Sequence, residues 1–135
     1  MPIRTCFFWL LSAVLLLAGC STDRDVAPLD AQLQGSWRWV QTTGGIAGVR
    51  LTPANTGYQE EIRFESNGSF YRLRDGKVID SDTYSLFFTS APADNRTPNL
   101  IRYGKNSLGQ SFEITENRLT LYDEAADGYI SQYER

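Results

Sequence analysis

Between Tyr58 and Glu65 the chain alternates with a period of two. Tyr58, Glu60, Ile62 and Phe64 fall on one side, and Gln59, Glu61, Arg63 and Glu65 on the other. Such alternation marks a strand with one face in a core and one in water. Weaker versions recur along the chain. Leu33, Gly35, Trp37 and Trp39 share a face, and most positions between them are polar. Further short runs are Phe70–Arg74, Val78–Phe88, Leu100–Tyr103, Ser111–Ile114, Arg118–Tyr122 and Gly128–Tyr133. The fifth-last of these, Val78–Phe88, reads as a strand broken near Asp80-Ser81-Asp82. The pattern therefore predicts eight strands, with no helix between them.

The turn residues say how the strands connect. Asp75-Gly76 predicts a two-residue hairpin with Leu73 across from Val78. Asn67-Gly68 allows two registers. A two-residue loop sets Ile62 opposite Leu73, Phe64 opposite Tyr71 and Glu61 opposite Arg74. A three-residue loop with a glycine bulge sets Phe64 opposite Phe70 and turns Arg72 inward. The first is preferred, because a one-residue slip would bury Arg72. Turns are also expected at Asn106–Gly109, Glu116-Asn117 and Ala125–Gly128, and loops at Thr42–Gly57 and Ser90–Pro98. Strands joined by successive hairpins make an up-and-down antiparallel sheet. Closing it at eight strands removes the exposed edges, giving an all-β barrel.

Composition narrows the function. Aromatics are 13% and glycines number 11, in keeping with a thin aromatic core and many turns. The net charge of −3 and the lack of a basic cluster argue against nucleic acid. No histidine is present, so Ser-His and Cys-His nucleophile pairs are excluded and the commonest zinc ligand is missing. No cofactor or metal is expected. Carboxylates are the only candidate catalysts: Glu60 on an inward face, and Asp80 and Asp82 near the strand break. They read as rim or turn residues, and no catalytic residue is assigned. Asp123–Gly128 lacks the ligand spacing of a calcium loop and reads as an acidic turn. Trp39, Tyr58, Tyr84 and Tyr103 are candidates to line the open half of a barrel, with Glu60 as their polar handle. The alternative is that these aromatics simply pack a filled core.

The first 32 residues are of a different kind. Arg4 precedes an apolar run, Phe7–Leu17, which is shorter than the roughly 20 residues of a spanning helix. Leu17-Ala18-Gly19-Cys20 then resembles the lipobox of bacterial lipoproteins. The resemblance implies a signal peptide over 1–19, cleavage before Cys20, and acylation of Cys20 with palmitate-type chains that anchor the protein to a membrane. Ser21, rather than Asp, after the cysteine implies the outer membrane, facing the periplasm or the cell surface. Residues 20–32, with Pro28 and the aspartates Asp23, Asp25 and Asp30, read as the acylated cysteine and a flexible tether. About a hundred residues remain for one domain, residues 33–135, near the lower limit for a core without disulfides.

Gly35-Ser36-Trp37 in the first strand resembles the Gly-x-Trp signature of lipocalins. That resemblance implies a lipocalin-like (calycin) barrel. It also implies that a late arginine, here Arg135, packs on Trp37 at the closed end, a cation–π contact of roughly 0.5–2 kcal/mol. The domain is shorter than ordinary lipocalins and lacks their cysteines and trailing helix. The expected function is an anchored binding module for a small apolar ligand or an envelope protein partner. The alternative is an interaction lipoprotein with a filled barrel and no small ligand.

Overall fold

The computed structural model describes residues 27–88, 99–105 and 109–135. The signal peptide over 1–19, Cys20, the tether through residue 26, the loop at 90–98 and the turn at 106–108 lie outside the described residues. Two short helices and nine strands follow in order: α1 (Leu29–Leu33), β1 (Gly35–Gly44), β2 (Val49–Leu51), α2 (Pro53–Thr56), β3 (Glu60–Phe64), β4 (Ser69–Arg74), β5 (Lys77–Phe88), β6 (Asn99–Tyr103), β7 (Gln110–Thr115), β8 (Arg118–Asp123) and β9 (Tyr129–Glu134). All pairings are antiparallel between neighbours, and β1 also pairs with β9. Eight strands, β1 and β3 to β9, therefore close an up-and-down barrel, as the alternation predicts.

Strand β1 is the seam. Its first half pairs with β3, with Gly35 opposite Phe64 and Trp37 opposite Ile62. Its second half takes β2 on that same edge and β9 on the other. The ladder to β9 slips between Trp39 and Gln41, so Val40 is an extra, bulged residue. The bulge inverts the alternation. Gln41 turns outward, where its side chain bonds Gln132 and Arg50, and Thr42 takes the inward place.

One half of the barrel is packed solid. Leu33, Trp37, Ile62, Phe64, Ile101 and Leu119 are all but inaccessible. The Phe64 ring meets Phe70 at 5.2 Å and Tyr84 edge-on at 5.0 Å. Helix α1 stoppers this end. Leu29 and Leu33 are four residues apart, so both face the core from one side of the helix. This corrects the tether reading for residues 29–32 and the strand reading for Leu33. The Trp37 indole donates to the Leu33 carbonyl at 2.8 Å. The Arg135 guanidinium lies 4.4 Å above the Trp37 ring and donates to the Gln32 carbonyl at 3.0 Å. Gly35 turns the chain from helix to strand at a φ of 110°, a conformation open to glycine alone without strain.

Three other expectations need correction. Glu65 donates its N–H to the Ser69 carbonyl and accepts from the Gly68 N–H, while Gly68 sits at a φ of 83°. This is the three-residue loop. Phe64 faces Phe70, Ile62 faces Arg72 and Glu60 faces Arg74. Asn67 keeps a negative φ and its side chain accepts from the Ser69 N–H, so the Asn-Gly pair is spent on a turn plus bulge. Second, β5 is not broken near Asp80. Ile79 bulges out between the pairs Leu73–Val78 and Arg72–Asp80, and the strand runs on. Third, Thr42–Gly57 is not one loop. It holds the end of β1, β2, and α2, whose Thr52 and Asn55 cap each other reciprocally.

Replacing Gly35 by Ala places a Cβ where no atom lies within 4 Å, so any cost is backbone strain alone. A loss of about 1–3 kcal/mol in urea unfolding is expected; unchanged stability would mean that the φ of 110° does not constrain this position.

Candidate functional site

Above the packed half, the inward positions become polar. On β3 the inward face runs from Phe64 and Ile62 to Glu60. On β4, under the observed register, it runs from Phe70 to Arg72 and Arg74. On β8 it runs from Leu119 and Leu121 to Asp123, and on β9 from Tyr133 to Ser131 and Tyr129. Of these, Glu60, Arg72, Leu121, Asp123, Tyr129, Ser131 and Tyr133 line a cavity of about 330 Å³ at the open end. Leu51, from the short β2, and Trp39 supply apolar wall.

The rim is an aromatic and cationic stack. The Trp39 and Tyr58 rings lie 5.8 Å apart and nearly parallel, and the Arg74 guanidinium lies over the Tyr58 ring at 4.0 Å. The Trp39 indole N–H donates to Thr42 Oγ1 at 2.9 Å, and Thr42 shares a hydrogen bond with Ser131.

Glu60 organises the charges. One carboxylate oxygen accepts from Arg74 at 3.1 Å; the other faces Arg72 Nε at 3.7 Å, beyond hydrogen-bond reach. Arg72 Nε is buried and has no hydrogen-bond partner. Asp123 accepts from the Gln110 side chain and the Tyr129 N–H. Among the described residues, it has no cationic partner within 4.0 Å.

Two tyrosines feel these charges. Burial pushes the Tyr103 hydroxyl well above the usual tyrosine range; neighbouring Tyr133 and Asp123 add to the rise and Arg72 opposes it. Burial likewise pushes Tyr133 up to about 12, with Arg72 opposing and Glu60 and Asp123 adding. At neutral pH both are therefore protonated hydroxyls, close enough to Arg72 and to Asp123 to feel both.

Of the residues expected at a ligand site, Trp39, Tyr58 and Glu60 line one cavity. Tyr103 packs its ring on Phe70 at 4.7 Å and its hydroxyl belongs to the charged interior. Tyr84 does not join them. It packs against Phe64 and donates to the Glu65 carbonyl at 3.0 Å, toward the closed end. Gly35, Trp37 and Arg135 also lie at that end. Asp80 and Asp82 are exposed, and Asp82 accepts from the Thr83 N–H. Sequence reading passed over Arg72, Asp123 and Tyr133. Arg72 was hidden by the register, and Asp123 by its place beside an acidic turn. Tyr133 was in plain view, at an inward phase of the last strand.

No family model, curated protein or solved structure matches the chain.

The tyrosines give a pH prediction. Tyr133 ionises near 12 when folded and near 10.0 when unfolded. A raised folded value means that its contribution is fully present below the unfolded value and is lost as the pH rises through the folded one. Stability is thus expected to hold up to about pH 10 and fall between about 10 and 12. Ultraviolet titration of phenolate should show Tyr103 and Tyr133 ionising only as the barrel opens; early, reversible ionisation of all tyrosines would contradict the burial.

Proposed function

We propose that this chain is a cell-envelope lipoprotein, acylated at Cys20 and held at the outer membrane, whose barrel binds a small polar molecule in its open half. The observation that carries the reading is the lumen of about 330 Å³ between Glu60, Arg72 and Asp123. Its size is at the lower end of small-molecule sites. The packed half of the barrel agrees with the filled-barrel alternative, and the open half does not. The charges also bear on ligand type. A purely apolar ligand would cover Arg72 and Asp123 without meeting their hydrogen-bonding needs, and such desolvation costs several kcal/mol. The expectation of an apolar ligand therefore gives way to a polar one.

A second reading, docking of an envelope protein, rests on Ile46. It is 92% exposed at the tip between β1 and β2.

Native mass spectrometry of protein purified from its own envelope tests both. A small stoichiometric adduct supports lumen binding, and a protein partner supports docking. The anchor is tested apart. Changing Cys20 to Ala should leave the domain folded and move it from the membrane to the soluble fraction. Continued membrane retention would count against acylation as the anchor.

A further inference from the structure

We infer that the lumen takes a small zwitterion of amino-acid size, its carboxylate on Arg72 and its ammonium on Asp123. The inference rests on the lumen-binding reading and names the ligand class for it. Three features of the site support it. First, the charges do not cancel within the protein. Glu60 is satisfied by Arg74 at 3.1 Å, so it only half serves Arg72 at 3.7 Å, and the Arg72 Nε–H has no acceptor. Asp123 is hydrogen-bonded but has no cation among the described residues. A lone anion or a lone cation would satisfy one of these groups and leave the other; a zwitterion satisfies both and adds no net charge to a partly desolvated site.

Second, the two groups address one space. Arg72 and Asp123 act on the same two hydroxyls, those of Tyr103 and Tyr133, in opposite senses. Arg72, Asp123 and Tyr133 also line the same lumen, so a molecule seated there meets both charges. Third, size agrees. At interior packing density, about 330 Å³ holds roughly 12 to 16 non-hydrogen atoms. That accommodates an α-amino acid with a medium or aromatic side chain, which Trp39 and Leu51 would flank.

Isothermal titration of the full-length protein tests this with four probes: L-phenylalanine, D-phenylalanine, 3-phenylpropionate and 2-phenylethylamine. The last two each keep one charge. One enantiomer of phenylalanine is expected to bind about 10- to 100-fold tighter than either single-charge analogue, the size of one charge-assisted hydrogen bond. Arg72→Met should reduce phenylalanine to the level of 2-phenylethylamine, and Asp123→Asn to that of 3-phenylpropionate. Should either variant unfold, the wild type supplies a second measurement. Its affinity for phenylalanine should fall as the pH rises through the ammonium titration, while that for 3-phenylpropionate stays level. Equal binding of all four probes, binding of none, or a pH-independent preference overturns the zwitterion. A small adduct of another charge type on envelope-purified protein also overturns it, yet leaves lumen binding standing; an empty barrel there, with no probe bound, removes both.

Discussion

Strand β1 must satisfy hydrogen bonds on both edges, and the rest of the barrel follows from how it does so. One edge is divided between β3 near Trp37 and β2 near Thr43, and the other belongs to β9. Along its ten residues the ladder to β9 slips once, at the bulge at Val40. Below it the inward residues are Trp37 and Trp39. Above it they are Thr42 and Gly44, small enough to leave space. One irregularity in one strand thus marks the boundary between a packed half and a hollow half.

The two halves answer to different physics. The closed half is stabilised by burial of large apolar side chains and by the indole of Trp37, held between a helix-end carbonyl and a guanidinium. The open half gathers Arg72, Glu60 and Asp123 around the lumen, with Glu60 mostly buried and Arg72 partly exposed. Charges in such a place contribute little to folding and often oppose it. The stack of Trp39, Tyr58 and Arg74 holds one side of the mouth without closing it.

The architecture was legible because its signals are local. Alternation through Tyr58–Glu65 identified β3 and its inward face, and Asp75-Gly76 specified its own hairpin, with Leu73 opposite Val78. Asn67-Gly68 did not, because the same dipeptide serves a two-residue turn and a three-residue turn with a bulge, and the backbone of Asn67 decides between them. The preference for keeping Arg72 out of the core assumed that every inward position is apolar. That assumption holds for the closed half and fails for the open one, where the observed register turns Arg72 into the lumen. Tyr84 was misplaced for a related reason. Its phase was read correctly, but height along the barrel depends on the stagger of strands, which period-two reading does not supply. Helix α1 is five residues long and depends on tertiary contact, so no helical period could announce it.

The closure of β1 on β9 has a consequence for the order of folding. The side chains of Gln41 and Gln132, bonded across that seam, are 91 residues apart in the chain. Arg135, which covers Trp37, lies beyond even that. The earliest strand is therefore left with an open edge, and its indole uncovered, until the whole barrel sequence is free to move. Joining contacts so distant is slow, because a long loop must be closed before any bond rewards it. Such a chain cannot lock its barrel until β9 is available to pair with β1. The seam that makes the barrel stable when finished also keeps it from finishing early.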